Sequence, residues 1–453
     1  MTRVNQVHDI ELQRQGYAGY LNPIRPQSDR ELTQAGRGTP GGEYLRRFWL
    51  PVGLTAEIGE RPRTLRILNE DLVAFRDRSG RLGLLHKHCS HRGTSLEYGI
   101  PMERGLRCCY HGWTYDIDGT CLETPGEPAN SRLKETVFQG AYPVRDYHGL
   151  LFAYLGPPDE IPDFPLYDAL EYPEDNEIHA YALDFECNWL QSHENGADPI
   201  HGSFLHTISS GAQFTEAFAE LPVMQYIETP LGLIASATRR VGDNIWIRGS
   251  DVLAPCSAQF GSSFVDGTEI RYAVCSWVTR WIVPVDDTHN LSAGLRIFNS
   301  QIDPERKGQP ELIGRNTVDF MGQTPERPYE QRQVEPGDYE AQVGQGPIAV
   351  HKAEHLGSTD KGVLMARRLL RQGILAVANN QPFKRPTLNP HGVVPTYNHE
   401  IVHRLPTCNN RDDRELLAEF GQRVAQFAIE TADQHPRERQ ATIERKIREE
   451  FPA

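Results

Sequence analysis

Apolar and polar residues alternate in short runs through the first third of the chain. Residues 65–68, 72–76 and 82–85 each carry the period of two that marks half-buried strands, and Ser79-Gly80 supplies a turn between the last two. Residues 50–54 open the series, and 142–145 and 150–155 close it. Residues 113–117 and 120–122 flank Asp118-Gly119, a pair that favours a type I′ hairpin. Before these strands runs a polar, Gly/Pro-punctuated arm with a weak helical pattern in its first part, leading to a short helix expected at 43–48. After them, Gly156-Pro157-Pro158 breaks the pattern and marks a linker.

Beyond 160 the texture changes. A Pro-rich connector leads to an extended segment at 178–185 and then to a helical stretch at 187–206. Strand-like runs return at 223–228, 231–239, 244–248, 269–277, 279–284 and 290–298. Residues 300–345 read as a long loop with short helices, 351–371 as a helix, and 414–433 and 436–451 as two closing charged helices. No internal repeat is present. The chain divides into an arm at 1–43, a small antiparallel β domain at 44–158 and a larger α+β domain at 159–453.

Composition narrows the function classes. The 453 residues suffice for two or three domains with substantial cores. A net charge of −14 argues against a nucleic-acid partner, which needs clustered Lys and Arg. No run approaches the ~18 consecutive apolar residues of a membrane span. The N-terminus has no apolar signal-peptide core, so a cytoplasmic protein is expected. Eight cysteines in so long a chain are not a disulfide framework.

The chemistry concentrates between Cys89 and His111. Cys89-x-His91 and Cys108-x-x-His111 form two short loops, each with one thiol and one imidazole. A Cys2His2 zinc finger pairs like ligands instead. One Cys and one His per loop suits a [2Fe–2S] centre in which two cysteines hold one iron and two histidines the other. Cys109 competes with Cys108 for the fourth place. The run HCSHRGTSLEYG followed by GLRCCYHGWTYDIDGTCLETPGEP resembles the Rieske domain of the Rieske non-haem iron oxygenases. That family's C-x-Y-H-G-W pattern puts the ligand at Cys108.

A second constellation, NWLQSHENGADPIHGSFLH, spans 188–206. His201 and His206 stand five apart, about 140° of rotation on an ideal helix, so they converge on one metal only if the helix ends, bends or bulges there. Pro199 and Gly202 make that believable. The stretch resembles the Rieske-oxygenase pattern E-N-x-x-D-x-x-H-x-x-x-x-H at Glu194, Asn195, Asp198, His201 and His206. The resemblance implies that the two histidines bind a mononuclear Fe(II). It implies that Asp198 bridges a ligand histidine to a cluster histidine of a neighbouring subunit. Asp-Pro is also an N-cap signature, so capping is the rival reading of Asp198, and the two roles are compatible.

The family draws its third iron ligand from far downstream, and GDYEAQVGQGPIA at 337–349 resembles that segment in phthalate dioxygenase-like members. Asp338 is the expected ligand, with a surface turn as the plainer reading of Pro336-Gly337-Asp338 and Asp360 as the fallback. The resemblance covers nearly the whole chain, from 38–52 to 367–370. It implies a helix-grip catalytic domain, O2 as co-substrate and electrons from a flavin-dependent NAD(P)H reductase, with or without a separate ferredoxin. It also implies a homotrimer or stacked-trimer hexamer that hydroxylates an aromatic substrate. Arg239, Arg240, Arg248, Arg271, Arg280 and Arg296 lie in or next to expected strands. One of them is suited to a substrate carboxylate, although a lone strand arginine more often faces solvent. An aromatic acid is the expected substrate, oxidised by dioxygenation or, alternatively, by monooxygenation such as O-demethylation. A Rieske electron carrier with a ligand-binding domain, and a zinc-stabilised scaffold, are the remaining readings.

Overall fold

The computed structural model describes residues 16–17, 28–209, 211, 213–409 and 411–452. The weakly helical pattern at the start of the arm lies outside the described residues. Residues 29–35 are built into the fold, with Leu32 and Ala35 fully buried. Trp189 donates its indole N–H to the Leu32 carbonyl at 3.1 Å, and Asn188 donates to the Thr33 carbonyl at 2.8 Å. The short helix expected at 43–48 is found at Pro40–Leu45, where Thr39 caps it and proline opens it.

Three small antiparallel sheets follow. Trp49–Leu54 and Val144–Tyr147 flank Leu150–Tyr154. A second sheet orders Arg63–Ile67, Glu70–Arg76, Leu82–His86 and Ala141–Tyr142. The third, Ile100–Pro101, Leu106–Arg107, Thr114–Tyr115 and Cys121–Glu123, carries the second Cys/His loop. The hairpin at Asp118-Gly119 is not type I′, which needs positive φ at both central residues. Only Gly119 has it (φ 86°), and a Cβ there would lie 2.0 Å from the Gln139 carbonyl oxygen.

The larger region is built on a nine-stranded antiparallel sheet. Its path runs Glu177–Phe185, Asn290–Phe298, Val278–Pro284, Ser257–Phe260, Asn244–Leu253, Gly232–Val241 and Val223–Glu228, with Arg271–Ala273 and Glu400–Arg404 off that path. The period of two gives each strand two faces. Ile245 and Ile247 pack with Phe420 and Val424 of the C-terminal helix Asp413–Glu430. Trp246, Arg248 and Ser250 point the other way. Two strands were not legible, Ser257–Phe260 and Glu400–Arg404. Buried Ser257, Gln259, Glu400 and His403 stand where alternation would call for apolar residues. The helix expected over 351–371 begins instead at Lys361 and runs to Ala378, after a short 3-10 turn at His351–Ala353.

The protein is thus α+β. One hydrophobic core joins Leu50 and Phe152 of the first region to Trp281 and Leu295 of the second. Backbone hydrogen bonds from Leu68 to Pro284 (2.8 Å) and from Asn69 to Val285 (3.0 Å) seam the two.

Candidate metal centres and substrate cavity

The two Cys/His loops fold alike. In the first, Cys89 accepts from the Gly93 amide at 2.8 Å; in the second, Cys108 accepts from the Gly112 amide at 3.1 Å. Both glycines sit at φ 75°, where only glycine is unstrained. The matched turns bury Cys89 and Cys108 and bring the His91 and His111 rings to 4.6 Å. His91 stacks on Trp113 at 4.3 Å, which fixes its plane. Its Nδ1 is buried with no hydrogen-bond partner among the described residues, as a nitrogen reserved for a metal would be. Tyr115 lies 3.1 Å from Cys89 Sγ, placed to hydrogen-bond a thiolate or bridging sulfur. Cys109, the rival to Cys108, is exposed. This donor set fits a [2Fe–2S] cluster with two thiolates and two imidazoles.

The stretch expected as one helix at 187–206 is broken into four pieces. Trp189–Glu194 is α-helical, Asn195–Ala197 is 3-10, Ile200–Ser203 is α-helical and Phe204–Ile208 is a π-helical turn. The π turn starts directly after the α-helical piece that carries His201 and alters the winding before His206. Across that break the two rings come together, with centroids 5.3 Å apart. Pro199 takes the N-cap position, and the Asp198 carboxylate accepts from the backbone amides of Ile200 and His201, so it does cap this turn. The Asp198 carbonyl also accepts from His201 Nδ1, and its carboxylate stands 3.9 Å from the same nitrogen.

Asp338 completes the cluster. Its Oδ1 lies 3.5 Å from His201 Nε2 and 3.3 Å from His206 Nε2. It is buried rather than in a surface turn, at the start of helix Asp338–Val343. Close approach of two glycines puts it there: a Cβ on Gly337 would lie 2.2 Å from Gly322 Cα. Asp360 is not brought to this site; it caps its own turn by accepting from the Gly357 amide. His201, His206 and Asp338 offer three ligand atoms within 4.8 Å of one another, the one such group among the described residues. Two imidazoles and one carboxylate suit non-haem Fe(II).

The surroundings tune these groups. Burial works against charge on Asp338, but His206, His201 and Arg280 overrule it and hold the carboxyl far below its usual range. Burial pushes His201 down, whereas Asp338 and Gln213 outweigh burial at His206 and raise it. Gln213 accepts from His206 Nδ1 at 2.9 Å and anchors its own amide on the Pro336 carbonyl at 3.1 Å. Gln323 donates to Asp338 Oδ2 at 2.9 Å, leaving Oδ1 turned toward the histidines. Asn195 donates to Oδ1 at 3.0 Å and accepts from Arg280 at 2.8 Å. Gln213 and Gln323 carry no sequence signal.

A cavity of about 70 Å³ lies in front of the triad. Its apolar lining includes Phe214, Phe218, Phe260, Trp277 and Phe320, a character suited to an aromatic ring. Arg239, Arg248 and Arg280 also reach it. Strand arginines are therefore not all solvent-facing here: Arg239, Arg248, Arg280 and Arg296 all turn inward.

Comparison with known proteins gives the family. Residues 48–143 match the Rieske [2Fe-2S] domain family. The chain is 42% identical over 433 residues to the tert-butanol monooxygenase / tert-amyl alcohol desaturase oxygenase subunit of Aquincola tertiaricarbonis, covering 91% of each chain. It is 39% identical over 382 residues to the phenoxybenzoate dioxygenase subunit alpha of Ectopseudomonas oleovorans, covering 81% of this chain and 89% of that one. Among solved structures, dicamba monooxygenase bound to dicamba shares the fold, with a TM-score of 0.56 at 19% identity over 74% of this chain and 99% of that one. The chain belongs to the Rieske non-haem iron oxygenases, as an oxygenase subunit. It is an oxidoreductase that incorporates O2, with a Rieske [2Fe–2S] cluster and mononuclear iron as its cofactors. It is the terminal oxygenase component.

Proposed function

We propose that this oxygenase hydroxylates an aromatic ring, adding both atoms of O2 as a cis-diol. The observation that carries the reading is the placement of His201, His206 and Asp338 in the wall of an aromatic-lined cavity. In this reading Cys89, His91, Cys108 and His111 hold the cluster, and His201, His206 and Asp338 hold the mononuclear iron. Iron held there by His201, His206 and Asp338 would supply the O2-activating, oxidising chemistry.

The chain's own residues position and insulate. Gln213 and the Asp198 carbonyl take the Nδ1 protons of His206 and His201, which turns each Nε2 lone pair inward. Asn195 and Gln323 fix the carboxylate of Asp338. The Asp198 side chain is one-third exposed, so it can reach a cluster histidine of a second copy while staying beside His201. This supports a homotrimer, or a hexamer of stacked trimers, as the working assembly. An arm at 1–43, a Rieske domain at 44–158 and a catalytic domain at 159–453 are the matching division. A cytoplasmic location and a flavin-dependent NAD(P)H reductase, with or without a separate ferredoxin, complete the reading. No helix among the described residues is long and apolar enough to cross a membrane.

A second reading, monooxygenation, has specific support: the 42% identical relative is named a monooxygenase. Turnover under 18O2 separates them. Two labelled oxygens in a ring diol support dioxygenation; one labelled oxygen per product means monooxygenation.

A further inference from the structure

We propose that O2 reaches the iron triad through a second, apolar pocket, which opens beneath helix Lys361–Ala378 and ends at a thin wall shared with the cavity. This rests on His201, His206 and Asp338 holding the iron, and it gives the co-substrate of that site its own path.

The pocket has a volume of about 190 Å³ and lies on the same face of the large sheet as the cavity. Alternation puts Leu233, Ala235 and Ala237 on that face of one strand, opposite Val252, Ser250 and Arg248 of the next. Leu233 and Val252 line the pocket, whereas Ala237 and Ser250 line the cavity. On the first strand only Ala235 stands between the two spaces; on the second, Val252 and Ser250 are successive residues of the face. Ala235 packs with Ala197, Leu233, Val252 and Ala366. Gly196 supplies the rest of the wall. A Cβ there would lie 3.5 Å from Phe260 of the cavity and 3.6 Å from Val252 of the pocket. The wall is therefore built from glycine and alanine, the residues that block least.

The outer end reaches solvent, where Gln372 and Pro382 of its rim are exposed. Leu369, Leu370 and Phe383 add apolar lining. Lys384 also lines it, but its ammonium is spent on the Thr229 carbonyl at 2.6 Å and on Glu228 at 3.2 Å. The polar rings at the wall, Tyr44 and His193, are both uncharged at neutral pH, because burial raises the phenol and lowers the imidazole. Protein interiors leave few voids of this size. Apolar ones stay dry and take up small apolar guests such as xenon. O2 is small, uncharged and apolar, so it collects in such a space. A substrate seated in a cavity of about 70 Å³ fills the front of the triad, and O2 that follows it needs another side. The wall at Gly196 offers that side, next to Asn195, which touches both His201 and Asp338.

Two measurements on the full chain with both metal centres filled test the route. Crystals under xenon pressure are expected to show xenon beside Leu233 and Leu370. Nitric oxide, a small apolar stand-in for O2, binds ferrous iron, and stopped-flow mixing times its association by the nitrosyl absorbance. Ala366→Phe fills the pocket, and Ala235→Val thickens the wall. Each should slow association by about fivefold or more, since entry then waits on opening motions. Iron content and the cluster's visible spectrum should stay unchanged. A pocket that takes up no xenon, or an association rate that neither substitution changes, would overturn the route. If a variant loses iron or cluster, xenon pressure on the unaltered chain decides: slowed association supports the route, and an unchanged rate refutes it. The iron assignment fails separately. A filled chain that gives no nitrosyl signal strikes that assignment and the route with it, whereas a signal with unchanged rates strikes the route alone.

Discussion

The side-chain amide of Asn195 lies 3.1 Å from His201 Nε2 and 3.0 Å from Asp338 Oδ1, so one donor touches two of the three candidate ligands. Arg280 holds the other end of that amide, and Gln323 holds the other oxygen of Asp338. The triad is therefore set by hydrogen bonds from elements far apart in the chain. Asp338→Asn replaces an anionic ligand with a neutral one and should release the mononuclear iron. Iron should fall from about three to about two per chain, with acid-labile sulfide and the cluster spectrum unchanged. Retention of about three irons would remove Asp338 from the ligand set.

Gln213 touches no candidate ligand atom, yet it fixes which nitrogen of His206 is free. Its Oε1 accepts the Nδ1 proton at 2.9 Å. Gln213→Leu should lower Fe(II) affinity by about 10–100-fold, the usual cost of removing such a partner. Gln213→Glu, which keeps the acceptor, should restore most of it. A competition titration against a chelator reads both, and equal affinities in all three proteins would mean the contact is incidental.

The sequence carried the local parts of this site better than the distant ones. Both Cys/His loops and the pair His201 and His206 were legible because each lies in one short run with ligand chemistry. The need for a bulge was legible from the five-residue spacing; its form, a π turn at Phe204–Ile208, was not. Asp338 was named through resemblance alone, because the Gly322–Gly337 approach that buries it joins segments with no shared pattern. Arg239 and Arg248 were candidates among six, and only strand register shows them to be diagonal neighbours on one face. Polar strands such as Ser257–Phe260 were missed because their buried hydroxyl and amide groups hide the alternation.

His193 gives the fold a pH dependence of known sign. Burial and the charge of Arg280 push it down to about 3, from an ordinary 6.5. Below about 6.5 the unfolded chain takes up a proton that the folded chain refuses. Stability from the neutral ring is thus complete above that pH and is lost as pH falls toward 3, by up to about 1.4 kcal/mol per pH unit. His399, pushed down to about 4 by burial, behaves alike. His193→Gln should therefore make the fall in Tm between roughly pH 6.5 and 5 smaller. An unaltered fall would show that His193 is protonated in the folded protein.

Arg367 ties the metal-bearing segment to helix Lys361–Ala378. It donates to Glu194 at 2.5 and 2.8 Å and to Glu354 at 2.6 and 3.0 Å, and Glu194 immediately precedes Asn195. Burial raises the Glu194 carboxyl to about 7 even with Arg367 beside it, so its charge depends on that partner. Arg367→Ala strands two carboxylates and should cost about 3–5 kcal/mol, the scale for breaking a buried pair from one side. Arg367→Lys should recover little, because a single ammonium cannot serve two carboxylates in the fork geometry seen here. Arg367→Met combined with Glu194→Gln should recover part of that loss, since one of the two stranded charges is removed together with its partner while Glu354 stays unpaired by Arg367. Denaturant unfolding of the single and double variants measures the coupling. If the pair serves stability alone, the double variant keeps its full iron content. If it also holds Asn195 in place, iron is lost in the double variant despite its recovered stability.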